Sequence, residues 1–243
     1  MVKKQTSVTA KQSVKFWEHR LNDIILRDAE LLKNQDDGEE LRARTFLHTL
    51  PKGMRRAVHK HYQKNKEVME KIYQAGKLRG LYKSNYFIYG DTCTGKTAFS
   101  VCLALYIQQQ IFLDRVRKDP DTWNKKYREP FLNLRVEGDL VNMFYAASHS
   151  NNLDLLDAEI MRVPFLVIDD LGATKITDWG MSQMYRLLNY RYVHEIPTIF
   201  TSNFCQDDLT EFYTNDRFIH RIGGVCVHAV SLGKFEVLDI KNH

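Results

Sequence analysis

Cysteine is scarce in this chain: four residues among 243, at Cys93, Cys102, Cys205 and Cys226. Their spacing offers neither a C-x-x-C pair nor a disulfide framework, which excludes a stapled secreted scaffold and a cysteine-built structural zinc site. No apolar run approaches the ~18 residues that a membrane span needs. The stretch from Met1 to Ser7 leads into no apolar signal core. Together these absences predict a cytoplasmic chain in a reducing compartment. No repeat or low-complexity segment is present either, so the sequence reads as ordinary globular protein.

What is present suits one large α/β domain with a small appendage: 44% of the residues are hydrophobic. Net charge is +5 and unevenly placed. Residues Met1 to Lys83 carry +9 and the remainder carries −4, with most of the excess between Lys52 and Lys83. That asymmetry points to a polyanion near the N-terminal side, unless the basic stretch is simply a solvated helix face.

The phosphate chemistry is concentrated in Gly90-Asp91-Thr92-Cys93-Thr94-Gly95-Lys96-Thr97, which fits G-x-x-x-x-G-K-[ST] at every fixed position. An aromatic and β-branched run, Tyr86 to Tyr89, reads as the strand before it, and Ala98 to Gln110 as the helix after it. Strand, loop and helix in that order aim backbone N–H groups and a positive helix end at a polyphosphate. Lys96 is expected to reach the β- and γ-phosphates of ATP, and the Thr97 hydroxyl to ligate Mg²⁺.

A second signal is Pro164 to Gly172, an apolar run ending in Asp169-Asp170-Leu171-Gly172. Continuous apolar residues closed by acid describe a buried parallel strand that delivers carboxylates at its C-terminal edge. Asp169 then holds Mg²⁺, and Asp170 orients the attacking water. Ile196 to Asn203 repeats the pattern, and its Asn203 is placed to meet a water or the γ-phosphate. In the segment Asn215 to Arg221, Arg217 and Arg221 share a helix face. They serve either as an ion pair within the fold or as an arginine finger offered to a neighbouring subunit.

Elsewhere, Val14 to Leu32 shows helical spacing, with Phe16 and Trp17 as partner anchors or core residues. A single second helix is expected from Gly53 to Gln74. Asp114 to Arg128 reads as a long exposed connection around Pro120 and Trp123. A strand at Leu132 to Val136 precedes a helix from Asp139 to Ala147, and Leu153 to Met161 forms another helix. The appendage covers residues 1–50 and the ATPase domain residues 51–243.

The set Gly90–Thr97, Phe165–Gly172, Thr201–Asn203 and Arg217/Arg221 resembles AAA+ ATPases of the DnaC/DnaI helicase-loader and IstB type, over roughly Tyr86 to Leu238. That resemblance implies a P-loop α/β core with a five-stranded parallel sheet flanked by helices. Fewer than 25 residues follow Arg221, too few for the helical lid of ordinary AAA+ proteins. It further implies ATP-dependent self-association into an open ring or spiral, single-stranded DNA in the central channel, and an N-terminal appendage that grips the replicative helicase. Arg217 and Arg221 correspond to the finger and a second nucleotide-sensing arginine, in either order. The family places DNA-contacting residues after the acidic strand, where Lys175, Thr177 and Trp179 supply a charge, a hydroxyl and a stacking face. Trp179 packing into the core is the alternative, with Phe144 and Tyr145 in reserve. This chain departs from many loaders in having no cysteine before Cys93. Two other functions suit the same residues: an IstB-like transposition regulator acting on duplex DNA, and an ATP-bound adaptor that turns over little.

Overall fold

In a computed structural model, the residues described are 50–78, 85–118, 133–150, 160–163, 165–213 and 216–238. The expected appendage helix Val14–Leu32, Trp123, and most of Leu153–Met161 lie outside them, as does most of the 1–50 segment. The described chain begins with two helices, α1 (Lys52–Lys64) and α2 (Lys66–Leu78), followed by strand β1 (Asn85–Gly90) and helix α3 (Lys96–Lys118). Then come β2 (Asn133–Val136), α4 (Glu137–Ser150), β3 (Leu166–Leu171), α5 (Asp178–Val193), β4 (Thr198–Ser202), α6 (Gln206–Phe212), α7 (Asp216–Ile222), β5 (Gly224–Ser231) and β6 (Lys234–Val237).

The strands lie in the order β2-β3-β4-β1-β5-β6. All neighbours from β2 to β5 pair in parallel, and only β6 runs antiparallel, against β5. This is a largely parallel α/β sheet with the phosphate-loop motif between β1 and α3. The central strands are buried on both faces and carry apolar runs, Tyr86–Ile88, Leu166–Ile168 and Ile199–Phe200, with polar residues toward their ends. On β1, Tyr86 and Ile88 face a core packed by α1, α2 and α3, while Phe87 faces the core of α4 to α7. Ile199 and Phe200 on β4 divide the same way.

Three expectations change. The single helix from Gly53 to Gln74 is two, because Asn65 leaves helical geometry and its side-chain amide bonds His61 Nδ1 at 3.1 Å. Asparagine competes for such local bonds and so interrupts helices. The exposed connection expected from Asp114 is helical as far as Lys118, since α3 continues to the residues before Pro120. The sheet has a sixth strand: Leu232-Gly233, with φ +72° at Gly233, turns the chain back so that β6 pairs β5. Residues 224–237, soon after Arg221, form this hairpin.

Candidate nucleotide site

The parallel strands bring their C-terminal ends to one edge, and the candidate residues of β1, β3 and β4 meet there. Gly95 has φ +91°, a conformation that side chains disfavour, and a Cβ there would stand 2.9 Å from His61 Nε2. Glycine therefore lets α1 close against the back of the loop. His61 is buried, packed edge-on to Phe99 at 5.9 Å and Phe235 at 5.5 Å. Burial, with Lys60 and Lys64 adding to it, lowers its pKa to about 4, so the ring is neutral. The Gly233 N–H donates to Thr94 O at 3.1 Å, so the β5–β6 turn braces the loop's other side. Asp91, Thr92 and Cys93 are exposed, and Cys93 holds φ +64°.

Lys96 is buried, and its ammonium donates to Gly90 O, Asp91 O and Asn203 Oδ1, each at 2.8 Å. Burial lowers its pKa, opposed by the charges of Asp170, Asp169 and Asp91. Thr97 Oγ1 donates to both oxygens of Asp169 at 2.9 Å, and Thr201 Oγ1 donates to Asp169 Oδ1 at 2.5 Å. Burial raises the Asp169 pKa, and the two hydroxyl bonds work against that rise. Asp170 is half-buried at φ +56°, where the β3–β4 register shifts, and its N–H donates to Thr201 Oγ1 at 3.1 Å. Asp169 is held against Thr97, while half-buried Asp170 is the strongest of the acidic charges acting on the Lys96 ammonium.

Hydroxyl and carboxylate oxygens are the hard donors that Mg²⁺ takes, and two protein ligands with phosphates and water completing the shell is its usual arrangement. Thr97 and Asp169 fit that role. No cluster of three or more His, Cys, Asp or Glu able to hold a metal occurs among the described residues, so an all-protein cage has no counterpart there.

The structure does not bring Arg221 to the phosphate loop of its own chain. Asn85, the first residue of β1, donates through Nδ2 to Arg221 O at 2.5 Å, and β5 starts beside it at Gly224. Gly90 ends the same strand five residues on, about 16 Å away at the usual rise. The Arg221 guanidinium is held beside Asn189 Oδ1 at 3.2 Å and over the Tyr192 ring at 4.1 Å. Arg217, one turn earlier on α7, is exposed.

Trp179 is 39% exposed rather than core-packed, and meets Tyr145, 59% exposed, edge-on at 5.9 Å. Phe144 is buried in the α4–α7 core. Lys175 is exposed nearby in sequence, while the Thr177 hydroxyl caps α5 by accepting from Gly180 N at 3.2 Å.

Two contributors escaped the sequence reading. One is His61, above. The other is Glu137, fully buried directly after β2: Oε2 accepts from the Gly172 N–H at 3.1 Å and Oε1 from the Tyr213 hydroxyl. Burial pushes its pKa up to about 7 against those two bonds. An acid closing a strand at the edge that carries the phosphate loop was the available signal.

No protein-family model matches the chain. In sequence it is 23% identical over 154 residues to the replicative helicase loader DnaI of Bacillus subtilis (strain 168), a match spanning 63% of this chain and 42% of that protein. It is 40% identical over 60 residues to the phage-like element PBSX protein XkdC of the same organism, over 21% of this chain and 23% of that one. The chain thus spans less than half the length of these curated relatives. Among solved structures it is similar to the crystal structure of DnaI, at 21% identity and TM-score 0.42 over 86% of this chain and 91% of that one. Domain III of the Thermotoga maritima replication initiation protein DnaA aligns at 18% identity and TM-score 0.49, over 68% and 62%. The likeness to a DnaI-type helicase loader, seen first in short motifs, extends over 154 residues of the sequence.

Proposed function

We propose that this chain is an ATP-dependent loader that places a replicative DNA helicase on single-stranded DNA. The observation that carries it is the convergence of Lys96, Thr97, Asp169 and Asn203 at one sheet edge, in a domain whose sequence is similar to a helicase loader. ATP lies with its phosphates on the amides of Gly90 to Thr97, and the Lys96 ammonium moves from carbonyl oxygens to phosphate oxygens. Thr97 and Asp169 would hold Mg²⁺, which would supply positive charge against the phosphates. Asp170 orients the attacking water, and Asn203, already bonded to Lys96, reports the γ-phosphate. Arg221 lies a strand's length from its own loop, so α7 offers Arg217 and Arg221 to the nucleotide of a neighbouring copy in an open ring or spiral. Residues 51–243 form this ATPase domain, and residues 1–50 grip the helicase.

The DNA contact is the Trp179–Tyr145 pair, with Lys175 near it in sequence and the acid-free helix α1 adding charge. Two exposed rings in contact give unpaired bases a stacking surface that tolerates any sequence.

The test combines the chain with a hexameric replicative helicase and a circular single strand. ATP should drive helicase onto the circle and release phosphate, and Lys96→Ala should do neither while unfolding as cooperatively as wild type. Wild-type nucleotide affinity in Lys96→Ala, read by calorimetry, would defeat the assignment of the loop.

A further inference from the structure

We infer that Glu137 is a positioning residue that fastens the acid-bearing turn after β3 to the helices leading to Arg217 and Arg221. This rests on the ATPase reading above and adds to it a residue that touches neither nucleotide nor metal. The turn needs an external hold. Asp170 and Gly172 sit at φ +56° and +84°, and Ala173 N–H closes the turn onto Asp170 O at 3.0 Å. A left-handed non-glycine residue is strained and persists only where its surroundings impose it.

Glu137, the first residue of α4, supplies that constraint from the end of the neighbouring strand β2. One carboxylate oxygen takes the Gly172 N–H, and the other takes the Tyr213 hydroxyl. Tyr213 closes α6, and its ring meets Phe218 at 4.8 Å, next in sequence to Arg217. Leu209 of α6 also reaches the turn, where a Cβ on Gly172 would lie 2.8 Å from its Cδ2. One buried carboxyl thus joins β2, the catalytic turn and the arginine-bearing segment, and the two groups it links act on opposite sides of a subunit boundary. Water cannot substitute for it, because the side chain is fully enclosed.

The chemistry separates a positioning role from simple burial. Glutamine at 137 still accepts from the Gly172 N–H and donates to the Tyr213 oxygen, whereas leucine does neither. Steady-state phosphate release and the affinity of a non-hydrolysable ATP analogue are measured for wild type, Glu137→Leu and Glu137→Gln. Hydrogen exchange is read at residues 170–173. Glu137→Leu should lose at least about tenfold in kcat, within the ~10²-fold that an ångström's misplacement costs. Analogue affinity should stay within about twofold, since a group acting only in the transition state leaves ground-state binding alone. Exchange at Gly172 should accelerate, and Glu137→Gln should recover most of the turnover. If Glu137→Leu does not fold, Tyr213→Phe takes its place, with a smaller fall in kcat expected in the same direction. Wild-type kcat in the folded variant, or no recovery by glutamine, overturns the inference and leaves the ATPase intact. A wild-type chain that releases no phosphate in the presence of DNA and helicase overturns the ATPase reading, and the positioning role with it.

Discussion

Two buried titratable side chains bracket the site and respond to pH in opposite senses. Glu137 has its pKa raised from 4.5 to about 7 by burial, so the folded carboxyl keeps a proton that the unfolded chain has lost. Stability from this group therefore falls as pH climbs from 4.5 to 7 and then levels, by about 3 kcal/mol in all. His61 is lowered from 6.5 to about 4, so acidification between those values protonates only the unfolded chain, and stability falls as pH drops. Between pH 4.5 and 6.5 the two slopes oppose. Asp169, raised by burial, works in the sense of Glu137. Glu137→Gln removes one slope and leaves the others. Denaturant titrations across pH should show the variant gaining on wild type by about 3 kcal/mol between pH 5 and 8. A difference that stays flat would show that Glu137 is ionised in the fold from the start.

At the scale of the element, α5 is anchored by a buried cation whose partners among the described residues are neutral oxygens. Arg191 is fully buried near the helix end, and its guanidinium donates to Thr198 Oγ1, Pro197 O, Ile160 O, Met161 O and Val163 O at 2.6 to 3.2 Å. The three nitrogens of one planar fork meet five oxygens, Nη1 three of them and Nε and Nη2 one each, which lysine cannot reproduce. The clamp ties the start of β4 and the segment entering β3 to one helix. That holds the two strands that carry Asp169 and Asn203 in step. Arg191→Met should cost about 3 kcal/mol or more, because several buried carbonyls lose their donor together. The denaturant midpoint should drop with the slope unchanged. A loss under about 1 kcal/mol would mean that water or neighbouring amides take over those carbonyls. Burial lowers the Arg191 pKa to about 9, still charged at neutral pH.

Two predictions concern the assembled molecule. Arg217→Ala should leave nucleotide binding by the separate subunit near wild type and reduce hydrolysis by on the order of 10³, as removal of a finger acting in trans does. Mixing Arg217→Ala with Asp170→Asn subunits should restore part of the turnover, because some interfaces then pair an intact finger with an intact acid. No restoration, with assembly intact, would place Arg217 in its own subunit's chemistry. For DNA, Trp179→Ala and Tyr145→Ala should each weaken single-strand binding by about 1–3 kcal/mol, and the wild-type affinity should fall steeply with salt. Fluorescence anisotropy with an ATP analogue present reads both. Equal preference for duplex would move the function toward a transposition regulator.

The phosphate-loop motif, the acid-ended strand and the strand leading to Asn203 were legible in the sequence because each depends on local order alone. A glycine pattern between strand and helix, or an apolar run closed by carboxylates, already implies which sheet edge it occupies. Strand pairing then brings Thr97 to Asp169 and Lys96 to Asn203 without further information. What only the tertiary structure decided are contacts whose partners carry no motif. Glu137 and Tyr213 lie 76 residues apart, and nothing in either neighbourhood marks them as a pair until the sheet sets β2 beside β3. His61 looked like one more residue of a basic helix, and packing turned it inward against Gly95. The break at Asn65 depended on a side-chain bond, and the sixth strand on a two-residue turn that pairs only once β5 is in place. Trp179 was open between core and surface by helical period alone, and the packing leaves it partly exposed beside Tyr145 of α4. Arg217 and Arg221 share a helix face by spacing, but which edge of the sheet that helix reaches is a matter of chain path. The path carries Arg221 to the first residue of β1, away from the loop that its own chain builds.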